Sequence, residues 1–228
     1  MQPIESIAGF IDHTLLRPEA GPEAITRLCE EARRYRFAAV CINPIWVPLA
    51  ADLLVDSPVR VASVCGFPLG ATPTSVKAFE ADHALRDGAQ EIDMVLSIGD
   101  AKAGRWGRVR EDVAGVASRV HDRGGLLKVI LECGLLTNPE KEEAARQAVA
   151  GGADFVKTST GFLAGGATVE DVALLKRIVG AGTGVKAAGG IRTLGQARAM
   201  VAAGASRLGT SSGMRIMEEA AARHQNAS

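Results

Sequence analysis

Eight times along this chain a short apolar run is followed by an amphipathic stretch, and that alternation limits the fold more than any other feature. A brief apolar run bounded by glycine, proline or polar residues reads as a strand buried on both faces. A stretch with apolar residues every three or four positions reads as a helix packed on it. The strands are expected at Phe10 to Leu15, Ala38 to Ile42, Val59 to Val64, Glu91 to Val95, Leu126 to Leu131, Ala153 to Val156, Gly184 to Ala188 and Ser206 to Gly209. Helices are expected over Pro22 to Tyr35, Pro44 to Leu54, Thr74 to Gly88 and Thr168 to Val179, with a last one from Met214 to Arg223. Three more end at Gly124-Gly125, open at Asn138-Pro139, and run from the capping-box pair Thr193 and Gln196 through Ala203. Thr74 is in position to cap its helix, and Ile25, Leu28, Cys29, Ala32 and Tyr35 share one face of the first. Eight strand–helix units predict an α/β protein closed as a (β/α)8 TIM barrel, one domain over residues 1–228. A chain of 228 residues is short for that fold, so its loops must be brief.

Composition narrows the function classes. With 47% apolar residues the chain can bury a substantial core, and a net charge of zero gives no reason to expect nucleic acid or an anionic membrane as partner. No apolar run reaches spanning length, and Met1-Gln2-Pro3-Ile4-Glu5 lacks a signal-peptide pattern, so a cytoplasmic location is expected. Cys29, Cys41, Cys65 and Cys133 are widely spaced in apolar surroundings and read as reduced thiols. The four histidines show no helical i, i+4 pairing, so no metal site is expected, and His13 reads as structural.

In such barrels chemistry sits at the C-terminal ends of the strands. Three charged residues meet that condition: Asp93 in the fourth strand, Lys157 closing the sixth and Lys186 in the seventh. Neighbouring strands lie about 4.8 Å apart, so two lysines facing one mouth would disfavour each other's protonation. A lysine so placed can act as an amine nucleophile toward a carbonyl, with Asp93 moving protons. The competing interpretation is an interior salt-bridge network, which two lysines for one aspartate fit poorly. Lys128 and Glu132 are rivals on the fifth strand, and Lys128, lying early in it, suits a structural ion pair with Glu91 or Glu132. Two late glycine-rich segments, Ala188-Gly189-Gly190-Ile191-Arg192-Thr193 and Leu208-Gly209-Thr210-Ser211-Ser212-Gly213, each lead into a helix. Loops after strands seven and eight often bind phosphate through backbone N–H groups. Gly161, Gly189, Gly190, Arg192, Gly209, Ser211 and Ser212 are therefore the phosphate-binding candidates.

Several of these segments together resemble the deoxyribose-phosphate aldolase family. The resemblance rests on Phe155-Val156-Lys157-Thr158-Ser159-Thr160-Gly161 and Val185-Lys186-Ala187-Ala188-Gly189-Gly190-Ile191-Arg192. It is extended by Ile11-Asp12-His13-Thr14-Leu15-Leu16, Val40-Cys41-Ile42-Asn43-Pro44, Gly66-Phe67-Pro68-Leu69-Gly70, Glu91-Ile92-Asp93-Met94-Val95 and Gly209-Thr210-Ser211-Ser212, in the family's order. It implies a class I aldolase without metal or cofactor, cleaving 2-deoxy-D-ribose 5-phosphate reversibly to D-glyceraldehyde 3-phosphate and acetaldehyde. Lys157 would form the Schiff base, Lys186 would favour its neutral form, and Asp93 would shuttle protons through a water. Asp12 and Thr14 would support the site from below, and Cys41 would lie near the pocket without a required role. Phosphosugar and aldehyde substrates and a homo-oligomer are the implied partners. Two departures stand out: the chain ends Ala222 to Ser228 without the tyrosine common in family tails, its lone tyrosine being Tyr35. Phe162 stands where some relatives carry a lysine after the Thr-Gly step, which removes a phosphate charge.

Overall fold

The expected strands form one closed parallel barrel in chain order, in a computed structural model that describes residues 7–163 and 165–225. They are β1 (Ile11–Leu15), β2 (Ala39–Ile42), β3 (Arg60–Cys65), β4 (Glu91–Val95), β5 (Leu126–Ile130), β6 (Phe155–Lys157), β7 (Gly184–Ala188) and β8 (Arg207–Thr210). Each pairs with the next, and β8 closes on β1 through Asp12 opposite Gly209 and His13 opposite Thr210. The helices outside are α1 (Pro22–Tyr35), α2 (Val47–Leu54), α3 (Thr74–Arg86), α4 (Ile98–Lys102), α5 (Trp106–Asp122), α6 (Asn138–Ala150), α7 (Val169–Val179), α8 (Leu194–Ala202) and α9 (Gly213–Gln225). Among the described residues no helix is long and apolar enough to cross a membrane.

The period of two along each strand sorts side chains into two compartments. Ile92, Met94, Leu127, Val129, Val156, Val185 and Leu208 are buried in the large apolar cluster that also holds Ile25, Leu28, Cys29 and Ala32 of α1. That layer between sheet and helices is the main hydrophobic core, and α1 enters it by the face read from its spacing. The alternate positions point into the barrel. From β4 through β8 they include Glu91, Asp93, Lys128, Lys157, Lys186 and Arg207, and Asp12 joins them from β1. On the other side Leu16, Ala39, Cys41, Ala62 and Val64 form a small apolar cluster with Phe67.

Several local expectations need correction. The segment Pro44 to Leu54 divides into a 3-10 turn at Pro44–Trp46 and α2, and the helix expected before Gly124 divides into α4 and α5. Thr74 does not cap α3: Pro73 holds that position, while the Thr74 hydroxyl donates to Asp112 on α5 at 2.8 Å. Asp112 also pairs at 2.6 Å with the fully buried Lys77, so the hydroxyl completes a buried ion pair, a stronger demand than one backbone N–H. The β6 and β8 segments each sit one or two residues later than expected. The capping boxes at Thr193–Gln196 and Thr137–Glu140 are formed. All four cysteines are buried free thiols. The expectations for Met1 to Glu5 and for the tail's last three residues, 226–228, lie outside the described residues.

Candidate active site

The inward charges of β1, β4, β5, β6, β7 and β8 meet in one buried network. Four cations, Lys128, Lys157, Lys186 and Arg207, face three carboxylates, Asp12, Glu91 and Asp93. Lys157 and Lys186 lie directly opposite each other in the β6–β7 register. Each donates to the same oxygen, Asp93 Oδ2, at 2.7 Å. The other oxygen, Oδ1, accepts from Lys128 Nζ at 2.7 Å, and Lys128 reaches Glu91 at 2.6 Å. Lys186 also pairs with Asp12, whose second oxygen takes Arg207 at 2.6 Å. Arg207 then forks onto both oxygens of Glu91, closing the ring, and the more exposed Arg60 touches Glu91 at 3.4 Å.

The expectation of two lysines for one aspartate is therefore incomplete. Arg207 was not singled out, and Glu91 was named only as a partner for Lys128, although Glu91 and Asp93 stand two apart on one strand, the spacing that puts both on one face. Lys128 pairs with Glu91, one of the two partners expected for it, but it is not early in its strand: it is central in β5, directly opposite Asp93 in the β4–β5 register, and holds that carboxylate too. Glu132 is not in the network. It sits in the left-handed backbone region (φ 56°) and accepts the N–H of Thr160 at 3.0 Å, fastening the loop after β6.

Burial by itself would protonate Asp93, but Lys128, Lys157 and Lys186 hold its carboxyl well below the ordinary carboxylate range. Burial likewise opposes the charge on Lys186, and Asp12 and Asp93 overcome it, keeping that ammonium protonated well above the usual lysine range. Asp12 is drawn from 3.8 down to about 2, burial being outweighed by Lys186, Lys128 and Arg207. With Lys128, Lys186 and Arg207 charged, three cations balance three carboxylates, and Lys157 is the fourth cation. Lys157 can give up its proton without leaving a buried carboxylate uncompensated.

Above the network opens a cleft of ≈ 790 Å³. Of the three lysines Lys157 alone lines it; Lys128 and Lys186 are fully buried beneath. Thr14, Gly161, Gly189, Gly190, Arg192, Gly209 and Ser211 line it too. Gly189 and Gly190 have positive φ (92° and 79°), which favours glycine there. Ser212 is not among the lining residues: its N–H donates to Thr210 Oγ1 at 2.9 Å, at the start of α9. Gly209 has a second reason for its missing side chain, since a Cβ there would stand 3.1 Å from Lys186 Cε and 2.9 Å from Ala188 Cβ. Thr14 donates to the backbone oxygen of Asp12 at 2.8 Å, and Cys41 Sγ lies 4.0 Å from Asp93 Oδ2, its thiol pushed up by burial. Thr158 Oγ1 bonds both Ala188 N and Ala188 O at 3.1 Å, locking the ends of β6 and β7 together. Phe162 packs edge-on against Phe67, ring centroids 5.3 Å apart, on the apolar side of the mouth. Tyr35 stacks on Phe37 and is not part of the cleft lining.

Comparison with known proteins agrees with this arrangement. The family model described as DeoC/LacD family aldolase matches residues 7–219. A deoxyribose-phosphate aldolase of Thermococcus gammatolerans is 56% identical over 216 residues, covering 94% of this chain and 96% of the relative. One from Halalkalibacterium halodurans is 53% identical, covering 93% and 95%. Among solved structures, an aldolase named QR15 superposes with a TM-score of 0.92 at 39% identity, covering 97% of this chain and 99% of that one. A tetrameric deoxyribose phosphate aldolase from Aeropyrum pernix superposes with a TM-score of 0.88 at 36% identity, covering 94% and 91%. On barrel, cleft and likeness together, the chain belongs to the DeoC/LacD family of aldolases.

Proposed function

We propose that this chain is a class I deoxyribose-phosphate aldolase that works through an imine on Lys157. The observation that carries the reading is the shared oxygen of Asp93, which holds Lys157 and Lys186 at 2.7 Å each, with Lys157 alone reaching the cleft. A second, permanently charged ammonium beside the first favours the free amine that attack on a carbonyl requires.

In the cleavage direction the Lys157 amine adds to the open-chain C1 aldehyde, and loss of water leaves an iminium. Acetaldehyde carries two carbons, so the bond that breaks is C2–C3, and the C3 hydroxyl loses its proton as glyceraldehyde 3-phosphate departs. The electron pair of that bond flows into the iminium and gives an enamine. Protonation at C2 and hydrolysis then return acetaldehyde and the free lysine. Asp93 accepts and returns protons at the lysine nitrogen directly and at the substrate through a water. Its basicity rises whenever Lys157 is neutral, because one of the cations that hold it low is then gone. The iminium is the electron sink, so the scheme needs neither metal nor cofactor. The loops at Gly161, Gly189–Gly190–Arg192 and Gly209–Ser211 take the phosphate, with Ser212 contributing through the start of α9. Asp12 fixes Lys186, and Thr14 fixes the Asp12 backbone.

The same reading takes residues 1–228 as one domain with a cytoplasmic location, and with no nucleic-acid or membrane partner. It also includes self-association, which exposed Val76 and Phe79 on α3 support. The test is reductive trapping: acetaldehyde and a mild hydride donor, followed by peptide mass spectrometry. An ethyl group on Lys157 alone is expected, and Lys157→Met should abolish it. An adduct spread over surface lysines, or none, would return the chain to a phosphosugar-binding barrel without catalysis.

A further inference from the structure

The cleft continues past the glycine loops onto the outer helix α1, where Ala24, Arg27, Leu28 and Glu31 form its rim. The β1–β8 register, His13 opposite Thr210, sets this rim beside Ser211 and the start of α9. Although the chain is neutral overall, the cleft lining carries Lys157, Arg17, Arg27 and Arg192 against a single carboxylate, Glu31. A cleft of one sign concentrates ligands of the other.

Glu31 is not available to that charge. Arg27 and Glu31 stand four apart on one helix face, the spacing at which an ion pair normally forms. Glu31 turns instead to His13 Nε2, at 2.7 Å. His13 is wedged against the first turn of α9: a Cβ on Gly213 would lie 2.8 Å from His13 Nδ1, and the ring stands edge-on to Phe37. Among the described residues Arg27 forms neither a hydrogen bond nor an ion pair, whereas Arg17 leans on Glu19 at 3.5 Å. Across the mouth, Phe162 packs on Phe67 and adds no charge on that side.

We infer that Arg27 is a specificity-determining residue: it closes over the substrate's phosphate from the α1 side, opposite the glycine loops, and sets the preference for phosphorylated sugar. His13 draws Glu31 away and so leaves the guanidinium free for the anion. The inference rests on the aldolase reading for its substrate, and its test separates the two. Inorganic phosphate is titrated calorimetrically into the wild type, Arg27→Ala and Arg27→Lys, and kcat/KM is measured on 2-deoxyribose 5-phosphate and on 2-deoxyribose. Loss of one charge-assisted hydrogen bond predicts phosphate binding weakened by about 10-fold or more in Arg27→Ala. The loss in kcat/KM on the phosphorylated sugar should match, activity on 2-deoxyribose should be unchanged, and Arg27→Lys should recover most of the difference. Wild-type phosphate affinity in Arg27→Ala, or an equal loss on both sugars, would overturn the role of Arg27. A wild type that cleaves neither sugar would sink the aldolase reading while the phosphate titration still reports on the arginine.

Discussion

Replacing Lys186 by methionine removes one charge from beneath the reactive amine and keeps most of the side-chain volume. Both lysine nitrogens lie 2.7 Å from Asp93 Oδ2, so they can be no further apart than twice that, 5.4 Å. Two like charges at that separation repel by about 3 kcal/mol at an effective dielectric of about 20. That is about two powers of ten in the proportion of free amine. The fold should survive, because Asp12 keeps Arg207 at 2.6 Å and Asp93 keeps Lys128 and Lys157 at 2.7 Å. With Lys186 gone, a charged Lys157 is the third cation that balances the three carboxylates, and the amine is held protonated. The assay is the initial rate of ethyl incorporation at Lys157 across pH, with thermal unfolding as a control. Trapping at neutral pH should fall about 100-fold and recover in alkaline buffer, while the unfolding midpoint shows that the barrel is intact. Undiminished trapping at neutral pH would refute the reasoning. So would a loss that alkaline pH does not restore, since Lys186 would then act by shape and not by charge.

Three further outcomes follow from the same geometry. Gly209→Ala should crowd Ala188 Cβ and displace Lys186 Cε by a few tenths of an ångström, loosening its carboxylate contacts and lowering turnover beyond the overpacking cost of about 1–3 kcal/mol; a chemical-denaturation curve beside kcat separates the two. Asp12 is ionised well below its unfolded value, so its contribution is complete above about pH 4 and disappears as pH falls from 3.8 toward about 2. That contribution is about 2 kcal/mol, or about 4–8 °C in unfolding midpoint for a chain this size, and Asp12→Asn should flatten that part of the acid limb. Phe162→Lys should raise the preference for 2-deoxyribose 5-phosphate over 2-deoxyribose by about 10-fold, read as the ratio of kcat/KM values, because it restores a cation to the uncharged side of the mouth.

The barrel and the positions of its three chief charged residues were legible in the chain, and the reason is local. A strand of four to six residues and the helix after it are written in adjacent side chains, and their strict alternation leaves few topologies open. Asp93, Lys157 and Lys186 could be singled out because each is a charge set in a short apolar strand, although Lys157 alone ends its strand while Asp93 and Lys186 are central in theirs. The glycines after β7 and β8 were legible for the same reason, being consecutive in sequence.

What joins distant segments was decided only in three dimensions. Arg207 reaches Asp12 across 195 positions and Glu91 across 116, and no local period encodes which carboxylate a given cation will meet. Barrel closure and strand register choose those partners, and a buried charge accepts them because an unpaired one costs several kcal/mol. The same rule moved Thr74 from capping a helix to completing the Lys77–Asp112 pair, and took Glu31 from its helical neighbour Arg27 to His13. The sequence by itself determined the elements and the chemical groups at their ends. Which of those groups pair was settled only by the folded arrangement, because in a low-dielectric interior a charge is stabilised by whichever partner the fold brings within hydrogen-bond reach, however far away it lies in the chain.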